Sequence, residues 1–187
     1  MEEEVQLLLE DTKEKMQKAI LHLEDELIHV RAGKATPNLL DGITVEYYGA
    51  VMPLNQVSNI NTPDARTIAI QPWEKSMFDP IEKAILAANI GLTPVNNGEL
   101  IRLNIPPLTE ERRKNLVKQI KSMAENTKVS IRNARRDAME TFKQMKKEGL
   151  EEDLEKEAEL KVQDLTTKYS DKVDKLIELK EKDIMTI

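Results

Sequence analysis

The stretch "TEERRKNLVKQIKSMAENTKVSIRNARRDAMETFKQMKKEG" (Thr109–Gly149) decides how the rest of this chain is read. Leu116, Ile120, Met123, Thr127, Ile131, Ala134, Ala138, Phe142 and Met145 recur three or four residues apart, which puts them on one face of a helix. Thr109 suits the N-cap, and Glu110 and Glu111 suit a first turn whose dipole favours acids. Gly149 suits the C-terminal stop after Lys147. A helix of this length with a single apolar stripe depends on partners that cover the stripe.

The partners lie on either side. Val5, Leu9, Thr12, Met16, Ala19, Leu23, Leu27 and Val30 form a second stripe, and Leu154, Ala158, Val162, Leu165, Tyr169, Val173 and Leu176 a third. Three long helices with seam-like faces predict a three-helix bundle. Only 3% of residues are aromatic and 33% are charged, a composition suited to long helices packed along seams.

Between the first two helices the character changes. All 8 prolines fall between Pro37 and Pro107, and five of the 6 glycines between Gly33 and Gly98. "GITVEYYG" (42–49), "RTIAIQP" (66–72) and "LIRLNI" (100–105) read as strands. "DPIEKAILAANIG" (79–91) reads as a short helix capped by Asp79, with Pro80 at its first position, Glu82 closing a capping box and Gly91 ending it. The fold class is therefore α+β: a discontinuous bundle domain, residues 1–31 and 106–187, and an inserted β/α/β domain, 32–105. The connections "RAGKATP" (31–37) and "NIPPL" (104–108) predict a hinge. Gly33 supplies freedom there, and Pro37, Pro106 and Pro107 limit the conformations.

Charge is sorted along the chain. The formal net charge is -6, yet residues 109–147 hold 12 basic and 5 acidic side chains, while the segments before and after are acidic. On a helical wheel, Lys114, Lys118, Lys121, Lys128, Arg132, Arg135, Arg136, Lys143, Lys146 and Lys147 fall within about 120° of one another beside the apolar stripe. Glu125 and Met139 interrupt this ribbon. One reading is a solvated face whose cations pair with acids of the neighbouring helices. The other is a phosphate-binding face, favoured by the arginines at its centre, whose planar forks grip phosphate bidentately. The ribbon spans up to about 50 Å, which suits a nucleic-acid backbone better than a small ligand. Stacking aromatics are missing from it, so structured RNA or DNA read by phosphate and shape is the better fit.

Other chemistries find little support. The absence of cysteine excludes disulfides, thiol catalysis and cysteine metal sites, and fits a reducing cytoplasm. No apolar run reaches the ~20 residues of a membrane span. The acidic start "MEEEVQLLLEDTKEK" resembles no signal peptide. His22 and His29 share a helix face but have no metal-ligand pattern around them. "AGKAT" lacks the Walker pattern, because Ile28 stands where its first glycine is needed and Ala35 where Ser or Thr is. No carboxylate pair sits in an apolar setting, so acid–base catalysis has no support. Trp73 and Phe78 read as core or hinge-facing packing, with an exposed aromatic at a factor contact as the alternative.

"LLDGITVEYYG", "PPLTEERRK" and "IRNARRDA", in this order and spacing, resemble the bacterial-type ribosome recycling factors over essentially the whole chain. The resemblance implies an L-shaped molecule built of a three-helix bundle and a β/α/β domain. It implies a monomeric, cytoplasmic translation factor with no catalytic residues, cofactor, metal or membrane contact. That factor would bind the post-termination ribosome and, with elongation factor G and GTP, split it into subunits. The bundle would lie on large-subunit ribosomal RNA, and the small domain would reach towards the small subunit and the elongation factor. The family's RNA-contacting arginines carry over to Arg31, Arg113, Arg132 and Arg135, with Arg136 and Lys128 as neighbours on the same face. Lys34 stands where the family often has arginine, which keeps charge and loses the fork. Two alternatives remain at this point: a coiled-coil adaptor for an acidic protein, and a nonspecific RNA chaperone.

Overall fold

The computed structural model describes residues 1–186. In chain order the elements are α1 (Glu2–Ile28), β1 (Thr44–Tyr47), β2 (Ala50–Pro53), β3 (Ser58–Asp64), β4 (Thr67–Pro72), α2 (Phe78–Ala88), β5 (Pro94–Asn96), β6 (Ile101–Asn104), α3 (Glu110–Lys147) and α4 (Glu152–Met185). They form two compact units, Met1–Val30 with Glu111–Ile187, and Arg31–Glu110.

The first unit is the three-helix bundle. Along α3, Leu116, Ile120, Ala124, Thr127, Ile131, Ala134, Ala138, Phe142 and Met145 are buried. Ala124 takes the inward place expected of Met123, which lies at the margin. In α1 the buried side chain is Ile20, with Ala19 half-buried beside it. In α4, Glu155, Thr166 and Ile177 point inward where Leu154, Leu165 and Leu176 were expected, and those three leucines lie at the edge of the stripe. All five corrections are shifts of one residue. They arise because a stripe wide enough to face two helices holds adjacent positions, and polarity alone does not say which is deeper.

The inward threonines are satisfied locally. Thr12, Thr127 and Thr166 each donate their hydroxyl to the carbonyl four residues back, at 2.8, 3.0 and 2.9 Å. Glu155 sits in the first turns of α4, where the helix dipole favours a carboxylate, and its Oε1 is 3.8 Å from Lys146 Nζ. Between α3 and α4 the chain turns through a Schellman motif. Gly149 has φ +114°, its N–H donates to Lys146 (3.1 Å), and the Leu150 N–H donates to Met145 (2.9 Å). Leu150 and Met145 also pack in one apolar cluster with Leu9, Ala138, Phe142, Ala158 and Val162.

The second unit is built on a four-stranded antiparallel sheet of order β3-β4-β6-β5 and a separate β1-β2 hairpin. Three strands escaped the sequence reading. β3 is mostly polar and carries Pro63 at a register irregularity on the sheet edge, where a missing N–H is tolerated. β2 and β5 are only four and three residues long. The central strands supply Ile68, Ile70, Ile101 and Leu103, which meet Phe78, Ile81 and Ile85 of α2 in a closed core.

Helix α2 corrects the expected capping. It begins at Phe78, one residue before Asp79, and has no side-chain cap at its N-cap, Met77. Asp79 lies inside the first turn, where it still favours the dipole. Asn89, in the left-handed conformation at φ 51°, ends the helix before Gly91 is reached. Phe78 is buried as expected, but Trp73 is 66% exposed and packs into no core. Beside it, Tyr47 and Tyr48 stack edge-to-face at 4.5 Å and donate their hydroxyls to Glu74, at 2.7 and 3.0 Å. Those bonds hold the Glu74 carboxyl below its usual range and push both phenols up.

Both ends of the second unit are tied to one turn. Ala35 donates its N–H to the carbonyl of Ala65 (2.7 Å), and Ile105 to that of Arg66 (2.8 Å). The turn between β3 and β4 is itself held by Asp64, which accepts from the Arg66 N–H (2.9 Å) and the Thr67 hydroxyl (3.0 Å). Pro37 opens a 3-10 turn, Pro37–Leu40, that Thr36 caps. Pro106 and Pro107 are exposed.

Candidate nucleic-acid interface

Helix α3 carries the basic ribbon, and its register against α4 divides the ribbon lengthwise. On the edge nearer α4, Lys121 reaches Glu181 (3.7 Å), Lys128 reaches Asp174 (2.6 Å), and Lys146 reaches Glu152 (3.9 Å) and Glu155 (3.8 Å). The descending order on α4 against the ascending order on α3 shows that the two helices run antiparallel. Arg135 lies on this same edge, and its Nη1 donates to Oε1 of Gln163 (3.2 Å).

The edge farther from α4 is different. Arg132 and Arg136 are exposed and find partners only on their own helix: Glu125 at 2.9 Å and Asn133 at 3.1 Å. Lys118, Lys143 and Lys147 are exposed and make no ion pair among the described residues. Pairs as exposed as Arg132 with Glu125 contribute little in water and exchange easily for a phosphate. The solvated-face reading thus describes three lysines of the inner edge, while on the outer edge Arg132 and Arg136 bond only within α3 and Lys118, Lys143 and Lys147 make no ion pair among the described residues.

The sequence-predicted residues are only partly brought together. Lys128, Arg132, Arg135 and Arg136 occupy about two turns of α3. Lys128 is half-buried and neutralised by Asp174, which makes it the most occupied of the four. Arg113 lies at the opposite end of the exposed run, half-buried, with its Nε enclosed and without a hydrogen-bond partner. Arg31 belongs to the inserted unit and lies near Gly91, with its Nη1 4.0 Å from where a Cβ there would stand. Gln163, Glu125 and Asn133 orient the central arginines and were missed. Glu125 was visible as the one acid within the ribbon, seven residues before Arg132, but Gln163 carries no such signal.

Nothing else among the described residues competes as a site. No group of His, Asp and Glu could hold a metal ion, and no helix is long and apolar enough to cross a membrane. His22 is exposed and reaches Glu26 at 2.8 Å, as a solvated histidine would.

Comparisons with known proteins agree on one family. The family model described as ribosome recycling factor matches residues 23–185. The ribosome-recycling factor of Phocaeicola vulgatus is 56% identical over 179 residues, 96% of each chain, and that of Flavobacterium johnsoniae is 54% identical over the full length of both. A solution structure of the ribosome recycling factor covers 98% of this chain and 98% of its own at 38% identity and a TM-score of 0.81. Models for the T. thermophilus ribosome recycling factor and the E. coli elongation factor G bound to the E. coli post-termination complex include a chain 44% identical to this one, covering 97% of this chain and 99% of that one with a TM-score of 0.64. With the α+β architecture and the charge-sorted α3 in place, the chain belongs to the ribosome recycling factor family.

Proposed function

We propose that this chain binds the post-termination ribosome by laying the outer edge of α3 on large-subunit ribosomal RNA and, with elongation factor G and GTP, promotes separation of the subunits. It works as a translation factor, not an enzyme. The observation that carries the RNA-binding part is the lengthwise split of the ribbon. Arg132, Arg136, Lys118, Lys143 and Lys147 keep solvent-facing charge on a chain that is acidic overall. Arg135, Lys128, Arg113 and Arg31 complete the proposed contact set, with Lys128 contributing least while Asp174 holds it. Acidic neighbours would repel RNA from the other faces and leave one orientation favoured.

The proposed division into a bundle domain (1–31 and 106–187) and an inserted domain (32–105) places a hinge at the two connections. The ties from Ala35 and Ile105 to the β3–β4 turn support flexing outside them, at Gly33, Pro106 and Pro107, with Pro37 stiffening the inner side. We place the factor in the cytoplasm as a monomer.

The test is a subunit-splitting assay on post-termination ribosomes, with and without elongation factor G and GTP. Splitting that needs both is expected, and no splitting with a cognate factor overturns the reading.

A further inference from the structure

We propose that Gln163, on α4, is a positioning residue of the RNA-binding face: it orients the Arg135 guanidinium for phosphate without neutralising it. The inference rests on the reading of α3 as that face. Its basis is a contrast along the shared edge of α3 and α4. Lys121, Lys128 and Lys146 each meet carboxylates of α4, namely Glu181, Asp174, Glu152 and Glu155. At the one arginine on that edge, α4 presents a neutral amide instead.

The chemistry of the two partners differs in a way that matters for RNA. A carboxylate opposite Arg135 would hold it but offset its charge, and in this less exposed setting a phosphate would displace the acid less readily than it displaces Glu125 from the exposed Arg132. The Gln163 carbonyl accepts one N–H and leaves the unit positive charge intact. The bond uses Nη1, so the edge formed by Nε and Nη2 stays open for a bidentate grip. Arginine loses rotamer freedom when it binds, and a side chain already held in place loses less. Arg135 is also half-buried against α4, which limits its other rotamers.

The experiment measures affinity for large ribosomal subunits across a salt series, using full-length protein with Gln163→Glu, Gln163→Leu and Arg135→Ala, alone and combined. Gln163→Glu is expected to weaken binding about five- to tenfold and to reduce the salt slope by about 1, because one cation is neutralised. Gln163→Leu is expected to weaken binding about two- to fivefold with the slope unchanged, because charge stays and orientation is lost. In the Arg135→Ala background neither change should matter. A residue that only stabilised the bundle would lower affinity equally in both backgrounds. If Arg135→Ala weakens binding while both Gln163 variants bind like the parent, the positioning role is overturned and the face stands. If Arg135→Ala itself binds like the parent, Arg135 falls out of the proposed face and the role of Gln163 falls with it.

Discussion

Gly33 faces the side chain of Leu108 so closely that a Cβ built on the glycine would stand 2.7 Å from the leucine Cγ. The two connections of the inserted unit therefore touch, one from each end of its sequence. Gly33 also has φ +74°, where other residues are strained. Gly33→Ala should cost about 1–3 kcal/mol in a denaturant titration. Adding Leu108→Ala should recover the steric part. A double variant no more stable than Gly33→Ala would show that the contact is not the cause.

Gly149 closes the turn from α3 to α4 at φ +114°, a value that side chains rarely adopt. A Cβ there would meet only Met1 Cε at an ordinary 3.6 Å, so space is not the obstacle. Gly149→Ala should thus lose about 1–3 kcal/mol through backbone strain alone. Gly149→Asn should lose less, since asparagine tolerates positive φ better. Equal losses for the two, read by chemical denaturation, would argue against backbone conformation as the source.

Arg132 and Arg135 lie about one turn apart, one on the outer and one on the inner edge of the ribbon. Replacing both by Ala should lower affinity for large subunits at least tenfold and flatten the salt slope by about 2. Helicity by circular dichroism should be unchanged, because neither side chain is in the core and alanine favours helix. Parental affinity in the double variant would remove both residues from the proposed contact.

Glu74 predicts a local pH response. Its folded carboxyl is held low chiefly by the hydrogen bond from Tyr47, then by that from Tyr48. A carboxyl depressed on folding adds stability above its unfolded value, and that stability is lost as pH falls through the folded value. The two phenols are raised chiefly by Glu74, so their contribution is present below the unfolded tyrosine value and lost as pH rises through the folded one. Trp73, the single tryptophan, is adjacent in sequence and exposed, so its fluorescence can report the acid step. The midpoint should fall below the ordinary 4.5 of a glutamate and the step should vanish in Glu74→Gln. A midpoint at or above the ordinary value would contradict the hydrogen-bonded arrangement.

The long helices were legible because apolar spacing repeats over many turns and leaves few alternatives. What the spacing left open was depth within a stripe, as between Ala19 and Ile20 or between Leu165 and Thr166. Thr166 can lie inside because its hydroxyl bonds to its own helix, something a polarity pattern treats as an outward signal. β3 was illegible because its residues are mostly polar and its identity as a strand comes from pairing with β4. The basic ribbon was legible as a face of one helix. Which of its cations α4 would occupy was not, because Asp174, Gln163 and Glu181 reach α3 only after the chain has turned back at Gly149.

The inward residues of α4 contain a longer rhythm. Glu155, Thr166 and Ile177 are eleven apart, as are Ala158 and Tyr169, and as are Val162, Val173 and Ile184. Leu9 with Ile20, Thr12 with Leu23 and Met16 with Leu27 repeat it in α1, and Leu116, Thr127 and Ala138 do so in α3. An eleven-residue repeat corresponds to about 3.67 residues per turn, close to the α-helix's own 3.6 and slightly on the right-handed side. Helices with this repeat keep their faces in contact by a gentle right-handed supercoil, opposite in hand to that of a heptad. The three helices of the bundle therefore favour a gentle right-handed wrap, over about 57 Å if the 38 residues of α3 set the length.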